Sequence, residues 1–483
     1  MSQAREPRRR EQRPRHVRPP KRRTSPRRPP VEDPARRAAL DVVRAVRERD
    51  AYANLVLPVL LRERRISGRD AALATELAYG TCRAQGLLDA VLAECTDRPL
   101  DRVDGKVLDA LRLGSYQLLR TRIPAHAAVA ATVDLVRGEL GSGAAGFVNA
   151  VLRRVAEQDE AAWIDRLAPA PEQDRVGRLA LAHAHPRWVA QAFADALGGA
   201  ARDELAQALQ ADDARPKVHL AARPGEVSAE ELAAMTGGDV APYSPYGVHL
   251  EAGTGDPGEL DAVREGLALV QDEGSQLVAL ALTRAELTGR DERWLDLCAG
   301  PGGKAALLAA LVAFNGGTLD AVERAEHRAE LVRRAVGELP VTVHVADGRE
   351  PGLPEGTFDR VLVDAPCTGL GALRRRPEAR WRRQPSDVAE LTRLQRELLR
   401  SALRLARPGG VVAYVVCSPH LAETVGVVAD VVRHATREGL AVEELDARSC
   451  FPGVPELGEG PHVQLWPHRH GTDAMFCALL RRG

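Results

Sequence analysis

The part of the chain after Gln271 alternates short apolar runs with stretches of helical spacing. This alternation is typical of βαβ units, in which helices connect the parallel strands of one sheet. Strands are predicted at residues 294–297, 317–323, 341–346, 360–364, 410–417, 441–445 and 474–480. Helices are predicted between them, most clearly at residues 304–311, 325–337 and 387–406. The pattern therefore predicts an open, seven-stranded α/β Rossmann-like sheet, a fold that binds ligands where its strands end.

The first half of the chain has a different pattern. From about residue 33 to residue 157, apolar residues such as Val42, Val43 and Val46 recur three or four positions apart, and alternating strand patterns are absent. This stretch is predicted to be all-helical. Between it and the sheet, one helix near residues 188–197 and one strand at residues 218–223 indicate a small α+β connector. A chain of 483 residues is long enough for several such units.

The first 30 residues contain twelve Lys or Arg and two Glu, although the whole chain has a formal charge of zero. They are rich in Arg and Pro and nearly lack large aliphatic residues, which predicts a disordered basic tail. Such a tail attracts polyanions, above all nucleic acid, and a solubilising or adventitious tail is the alternative. No apolar segment follows that would complete a secretory signal. No apolar run approaches the roughly 18 residues that span a bilayer, so no membrane association is expected.

Seven cysteines are present, an odd number without a C-x-x-C pair. This spacing fits neither a disulfide framework nor a zinc site, so no metal is expected. Free thiols in a long chain indicate a reducing, cytoplasmic environment. Two of these cysteines, Cys367 and Cys417, follow predicted strands. Paired thiols at neighbouring strand ends suit addition to a pyrimidine ring followed by its release.

The first predicted strand leads into Asp296-Leu-Cys-Ala-Gly-Pro-Gly-Gly-Lys304 and then into a helix. Glycines in such a turn allow a ligand to approach the backbone closely. The loop is not a Walker A motif, because Cys298 stands at the first Gly position and Ala305 at the Ser or Thr position. It also lacks the G-x-G-x-x-G spacing of dinucleotide-binding proteins. Triphosphate and dinucleotide cofactors are therefore disfavoured.

Acidic residues stand at the ends of the next two predicted strands. A carboxylate at Glu323 can accept hydrogen bonds from two ribose hydroxyls. Asp347 can accept one from an adenine amino group. Either acid alone could be an ordinary loop residue, but together at successive strand ends they predict a nucleoside-containing cofactor.

Residues 70–83, 111–119 and 146–154 resemble the NusB family of RNA-binding helical domains. Nearly the whole chain after residue 33 resembles the RNA 5-methylcytosine methyltransferases of the RsmB family, also called Sun or Fmu. The similar motifs are Gln271-Asp272, residues 296–304, residues 347–349, Asp364-Ala-Pro-Cys-Thr-Gly-Leu-Gly371 with Arg374-Arg-Arg-Pro377, and Tyr414-Val-Val-Cys-Ser418. Two departures concern loop packing: Val416 stands where the family usually has Thr, and residues 421–424 replace its usual Pro-Glu-Glu-Asn.

The resemblance implies four units: a basic tail (1–32), a NusB-like helical bundle that binds RNA (33–160), a connector (161–265) and a class I methyltransferase domain (266–483). It implies S-adenosylmethionine as cofactor and a cytosine of 16S ribosomal RNA as substrate. The cofactor-binding residues implied are Asp296, Leu297, Cys298, Ala299, Gly300, Pro301, Gly302, Gly303, Lys304, Glu323, Arg328, Asp347, Gly348 and Asp364. A monomer is expected.

The resemblance also assigns the catalytic roles. Cys417 would attack C6 of the base, which makes C5 nucleophilic, and Cys367 would assist removal of the C5 proton and release of the product. Asp364 would hold or protonate the N3 edge, and Pro366 would shape the pocket wall. The alternatives are a transfer RNA methyltransferase with the same chemistry and a non-catalytic RNA-binding assembly factor.

An arginine-rich stretch follows the first of these two cysteines. RNA contact is predicted for Arg374, Arg375, Arg376 and Arg382, beside the further cations Arg380 and Arg383. A solvated charged face is the alternative. Trp381, within the stretch, could stack on a base or anchor the core.

Overall fold

The computed structural model describes residues 33–199, 203–251 and 255–483. The predicted basic tail, residues 1–32, lies outside the described residues.

A bundle of long helices forms the first part of the described chain. These are α1 (Pro34–Arg49), α2 (Ala53–Glu63), α3 (Gly68–Cys95), α4 (Gly105–Arg120) and α5 (Ala125–Val155). Asp33 caps α1 by accepting a hydrogen bond from the backbone N–H of Arg36 at 2.9 Å. Helices α3 and α4 cross closely at Gly80, where a Cβ would lie 2.0 Å from the ring of Tyr116. The all-helical prediction for this stretch is confirmed.

The middle of the chain combines helices with a small antiparallel sheet. The helices are α6 (Glu160–Leu167), α7 (Pro171–Ala182), α8 (Arg187–Leu197), α9 (Leu205–Asp213), α10 (Ala229–Thr236) and α11 (Asp261–Arg264). The strands are β1 (Val218–Ala222), β2 (Asp239–Val240), β3 (Gly247–Leu250) and β4 (Ala268–Val270), in the order β2-β3-β1-β4. Strand β4 delivers the chain directly to the next domain.

The last part of the chain is built on a larger, mixed sheet. Its strands are β5 (Arg293–Asp296), β6 (Thr318–Glu323), β7 (Val341–Val345), β8 (Phe358–Asp364), β9 (Ala406–Val416), β10 (Val442–Leu445), β11 (Val463–Gln464) and β12 (Phe476–Arg482). They lie in the order β10-β12-β9-β8-β5-β6-β7, with β11 paired to β12. Strands β5 to β9 are parallel, and β12 runs antiparallel to both neighbours. The predicted strands are all present, and β11, only two residues long, is additional.

Helices cover both faces of this sheet. They are α12 (Glu273–Arg284), α13 (Gly303–Ala313), α14 (Glu326–Val336), α16 (Pro385–Leu405) and α17 (Val425–Arg437). Two short helices, α15 (Ala379–Arg382) and α18 (Pro467–His470), pack instead on α3 and α9. One apolar cluster contains Leu277, Leu308 and Val332 from α12, α13 and α14, and the other contains Leu399 and Val431 from α16 and α17. Because both faces are covered, the middle of a central strand is apolar and buried, as Val361, Leu362 and Val363 of β8 are.

Helix α15 joins the sheet domain to the rest of the molecule. The Trp381 ring packs on Gly86 of α3, where a Cβ would lie 2.1 Å from the ring, and its Nε1 donates to the carbonyl of Arg83 at 3.1 Å. Of the two roles considered for Trp381, the structure supports anchoring. The adjacent Arg380 is fully buried and pairs with Asp212 at 3.1 Å. The contacts of Arg380 and Trp381 therefore join the domains at a point 13 to 14 residues beyond Cys367 in the sequence.

Candidate active site

Four adjacent strands end in predicted functional residues. In sheet order, β9 leads to Cys417, β8 ends at Asp364, β5 ends at Asp296 and β6 ends at Glu323. The strands are parallel and in register, so these side chains meet at one edge of the sheet. This is the edge at which open α/β sheets bind ligands.

The glycine loop folds back over the end of β6. At Gly300 a Cβ would lie 2.2 Å from Oε2 of Glu323, so the close approach requires glycine. Arg328 donates to the carbonyl of Gly300 at 2.5 Å and lies 3.3 Å from the Glu323 carboxylate. At Gly302 the backbone has φ +115°, and a Cβ would lie 2.6 Å from that of Ala335. The loop backbone thus lies directly against the Glu323 carboxylate at the end of β6.

Asp296 is almost completely buried, with 1% of its surface exposed. Burial, together with repulsion from Asp364, raises the pKa of Asp296 to about 7. Its Oδ1 accepts a hydrogen bond from the N–H of Cys298 at 3.3 Å, whereas its buried Oδ2 has no partner among the described residues. This carboxyl group is therefore suited to a ligand that brings a donor or a positive charge. Burial also raises the pKa of the Cys298 thiol.

Asp347 lies beyond β7 and is held by a neighbouring arginine. Arg349 donates to Asp347 from Nε at 3.0 Å and from Nη2 at 2.7 Å. This hydrogen bonding lowers the pKa of Asp347 to about 2. At Gly348 a Cβ would lie 2.8 Å from the carbonyl of Leu297, so the loop lies directly against the end of β5. Among the other predicted cofactor-binding residues of the glycine loop, Leu297 and Ala299 are buried. Gly303 begins α13, two residues after Pro301.

Lys304, at the start of α13, crosses to the neighbouring strand and donates to Asp364 at 2.8 Å. Burial alone would lower the pKa of Lys304. Asp364, Cys417 and Asp296 outweigh burial, and the pKa is raised above its ordinary value. A positive charge therefore stands at these strand ends, near Asp364 and Cys417.

The Sγ atoms of Cys367 and Cys417 lie 3.4 Å apart. The hydrogen bond to Cys417 and burial both raise the pKa of Cys367 well above its ordinary range. Cys367 thus remains a protonated thiol, able to donate to its partner. The pair is joined by a main-chain bond from Gly371 N–H to the carbonyl of Cys417 at 2.9 Å. Pro366 is exposed beside them, and its carbonyl accepts a hydrogen bond from Gln395 at 2.9 Å.

A buried acid that the sequence analysis did not single out connects the two loops. Glu423 is fully buried and accepts hydrogen bonds from the N–H of Thr368 at 2.8 Å and from Ser418 at 2.7 Å. It also accepts from Thr368 Oγ1 and from Gln395. Glu423 lies within the segment that departs from the family motif, and the acidic residue there is the signal that could have identified it. Val416, the other departure, is completely buried.

The arginine stretch, for which RNA contact was predicted with a solvated charged face as the alternative, is largely engaged within the protein. Arg374 is buried and pairs with Asp473 at 2.7 Å and Asp272 at 3.3 Å. Arg375 binds the same two carboxylates, Asp473 at 3.0 Å and Asp272 at 2.6 Å. These ion pairs hold the segment against the start of α12 and the turn before β12, and the side chains of both acids are only 7% exposed. The prediction of RNA contact therefore needs correction for Arg374 and Arg375.

The remaining predicted RNA-binding arginines differ from each other. Arg382 donates to the carbonyls of Asp50, Val46 and Ala51, which close the end of α1. Its hydrogen bonds are thus also directed into the protein. Arg376 is exposed and is the one member of the predicted set whose guanidinium faces solvent.

Neither a metal centre nor a membrane span is found in the described part of the chain. Among residues 33–199, 203–251 and 255–483, no three His, Cys, Asp or Glu side chains are grouped to hold a metal ion. None of the helices in those ranges has both the length and the apolar character needed to cross a bilayer.

Comparison with known proteins identifies two matching family models. One, described as 16S rRNA methyltransferase RsmB/F, matches residues 286–481, and the NusB family matches residues 33–157. A Mycobacterium tuberculosis protein named as a candidate methyltransferase is 62% identical over 458 residues, covering 95% of this chain and 98% of its own. A Sodalis glossinidius protein named ribosomal RNA small subunit methyltransferase B is 33% identical, covering 82% of this chain and 89% of its own. The crystal structure of PH0851 shares the fold, with a TM-score of 0.76 at 24% identity over 93% of this chain and 99% of that one.

Proposed function

Because the chain belongs to the RsmB/F family of 16S ribosomal RNA methyltransferases and carries a NusB-family domain, we propose that it methylates C5 of a cytosine in 16S ribosomal RNA. Membership of the family makes it an S-adenosylmethionine-dependent ribosomal RNA methyltransferase. Methylation at position C5 and the covalent route through a cysteine go beyond family membership and are the proposal itself. The observation that carries them is the pair of thiols, 3.4 Å apart, beside the Lys304–Asp364 ion pair. Ribosomal RNA as substrate would place the protein in the cytoplasm.

The residues at the strand ends fit S-adenosylmethionine. The unpartnered Oδ2 of Asp296 suits a positively charged group, and the cradle at Gly300 exposes backbone beside Glu323. Glu323 would accept hydrogen bonds from ribose hydroxyls, and Asp347, oriented by Arg349, would accept from the adenine amino group. When bound, the cofactor supplies an electrophilic methyl group. The remaining predicted contacts, from residues 297–304, Arg328, Gly348 and Asp364, surround the same strand ends.

The two cysteines would divide the reaction between them. Attack by the Cys417 thiolate forms a bond from Sγ to C6 and removes the 5,6 double bond, which gives C5 the electron density to accept a methyl group. Loss of the C5 proton then restores the double bond as the bond from Sγ to C6 breaks. Cys367 would assist the passage of that proton to solvent, and the electron pair of the breaking bond leaves on Cys417 as its thiolate. Each bond formed on the base is thus broken again except the new one from carbon to methyl.

The environment of each group supports this assignment. The raised pKa of Cys367 keeps it protonated, which suits a donor to Cys417 more than a nucleophile. Lys304 places its positive charge against Asp364 and close enough to Cys417 for the two to interact electrostatically. Asp364 still has 29% of its side chain exposed, so its second oxygen can reach the N3 edge of a base. Attack requires an unstacked base, which favours a loop or an unfolded stretch of RNA.

Transfer of labelled methyl groups tests the proposal. The protein is incubated with labelled S-adenosylmethionine and either protein-free 16S ribosomal RNA or transfer RNA, and bisulfite sequencing locates any 5-methylcytosine. Label at a cytosine of 16S RNA is expected. Label in transfer RNA alone would overturn the choice of substrate. Bound cofactor without any product would instead favour a non-catalytic RNA-binding factor.

Cysteine variants test the mechanism. Cys417→Ala should abolish transfer without any covalent adduct, whereas Cys367→Ala should accumulate a protein–RNA complex that survives denaturation. Cys450→Ala, which removes a buried cysteine outside the site, serves as the control and should behave as the wild type. A trapped complex with Cys417→Ala would reverse the two roles.

A further inference from the structure

We propose that Tyr52 and Arg376 form a platform on which an unpaired base of the RNA substrate stacks beside the active site. The proposal rests on the proposed function, because it assigns a contact to the RNA that this function requires. It also joins two parts of the chain, since Tyr52 precedes α2 of the helical domain and Arg376 follows the Cys367 loop.

Tyr52 is an unusually open aromatic residue for a junction between domains. Its surface is 42% exposed. The Arg376 guanidinium lies 5.6 Å from the centre of its ring, and that of Arg382 lies 5.5 Å from it. An aromatic ring flanked by guanidinium groups is the arrangement that binds unpaired bases, since the ring stacks and the cations contact phosphate.

The two arginines at this ring have different roles. Arg382 donates to three carbonyls around the end of α1, and so fixes the turn that carries Tyr52. The guanidinium of Arg376 makes no hydrogen bond or ion pair with any residue that the structure describes, and its contact is with the Tyr52 ring. The carboxylate of Asp50 lies 4.0 Å from Arg382 and is not paired with Arg376. The platform therefore has a rigid side and a side whose donors remain available to a phosphate.

A short path through the chain and one hydrogen bond links this platform to the reacting thiols. Arg383 follows Arg382 and donates through Nε to the carbonyl of Thr368 at 3.1 Å, and Thr368 follows Cys367. Arg376 itself is nine residues beyond Cys367. A strand of RNA with its target base at the thiols would thus have neighbouring nucleotides within reach of Tyr52.

The adjacent surface of α2 extends the platform. Leu55 and Val59 are 64% and 42% exposed, at the helical spacing that continues from Tyr52 along one face. The cations Arg64 and Arg65 are exposed just beyond the end of this helix. Apolar groups that contact bases and sugars, bordered by Arg, fit a single-stranded RNA. An apolar protein partner is the other occupant to consider, but it would gain nothing from an unpaired guanidinium.

Binding measurements separate the possibilities. Fluorescence anisotropy gives the Kd of the full chain for a protein-free 16S RNA fragment that contains the methylated cytosine. Tyr52→Ala should raise the Kd about tenfold or more, because it removes base stacking, whereas Tyr52→Phe should stay within about twofold. Arg376→Ala should also raise the Kd and reduce its dependence on salt by about one phosphate contact. Arg334→Ala, which changes an exposed arginine of α14, is the matched control.

Two further measurements keep the outcome clear. The Tm and the Kd for S-adenosylmethionine should be unchanged in Tyr52→Ala, and Tyr52 should be the residue cross-linked when the RNA carries photoreactive thiouridine. Unchanged RNA affinity in Tyr52→Ala or equal losses in Tyr52→Ala and Tyr52→Phe would overturn the proposal. A wild-type protein that binds RNA through this platform but transfers no methyl group would overturn the proposed reaction alone.

Discussion

Glu423 accepts a hydrogen bond from the backbone N–H of Thr368 across 2.8 Å, and this bond joins the loops of the two cysteines. Thr368 follows Cys367, and Ser418, which donates to the same carboxylate at 2.7 Å, follows Cys417. A buried charge is tolerated here because both of its oxygens accept several hydrogen bonds. The separation of the two thiols is thus set by one carboxylate that does not itself touch the substrate.

Replacement of Glu423 by Ala should reduce methyl transfer strongly and destabilise the fold by about 3 kcal/mol, because buried donors lose their partner. Chemical denaturation and single-turnover transfer at saturating RNA would measure the two effects. Glu423→Gln is the matched control. Its oxygen can face the donors of Thr368 and Gln395, and its amide can donate to the hydroxyls of Thr368 and Ser418, which can turn to accept. A smaller loss of both quantities is expected, and equal losses would contradict a positioning role.

The raised pKa of Asp296 predicts how stability depends on pH. The pKa is about 7 in the folded protein, against 3.8 for an unperturbed Asp. Between these values the folded state binds more protons than the unfolded state, so the contribution of this group to stability falls as pH rises from about 4 to about 7. The loss is at most roughly 4 kcal/mol. Urea denaturation of wild type and Asp296→Asn at both ends of this range should show a smaller pH dependence in the variant.

The same group predicts a proton linkage on cofactor binding. A positively charged ligand near Asp296 favours its ionised form, so binding near pH 6 should release a proton and affinity should rise as the pH approaches about 7. Calorimetry in buffers of different ionisation enthalpy measures this release. Asp296→Asn should lose it, and a wild-type protein that releases no proton would place the cofactor away from this carboxyl group.

Gly300 predicts a variant that folds but binds cofactor poorly. In Gly300→Ala the new Cβ would lie 2.2 Å from Oε2 of Glu323 and 2.8 Å from Nε of Arg328. Both atoms end flexible side chains, so the fold can survive while the carboxylate moves. We expect little change in Tm and at least about a tenfold loss of S-adenosylmethionine affinity, the equivalent of one displaced hydrogen-bonding group. Gly143→Ala, which meets no atom within 4 Å, is the control and should bind normally.

The sheet and its strand-end residues could be predicted from sequence because they depend on local patterns. Apolar runs mark the strands, and parallel strands place the residues that follow them at one edge. The arginine stretch could not be interpreted in the same way. Arg374 pairs with Asp473, 99 residues away, and Arg380 with Asp212, 168 residues away. A cation whose partner is so distant in sequence resembles a free surface charge until the fold brings the two together.

Arg380 therefore gives a last prediction, about the junction of the domains. Its guanidinium is fully buried and donates to the carboxylates of Asp212 and Asp213 and to the carbonyl of Ala184. Arg120 would still pair with Asp213, but Arg380→Ala would leave the buried Asp212 without its cation, a loss of about 3–5 kcal/mol in the free energy of unfolding. Thermal and urea denaturation would measure this loss. The control is Arg433→Ala, which removes a surface ion pair whose arginine side chain is 63% exposed, and it should change stability by less than about 1 kcal/mol. Equal stability of the two variants would mean that the junction does not depend on this buried pair.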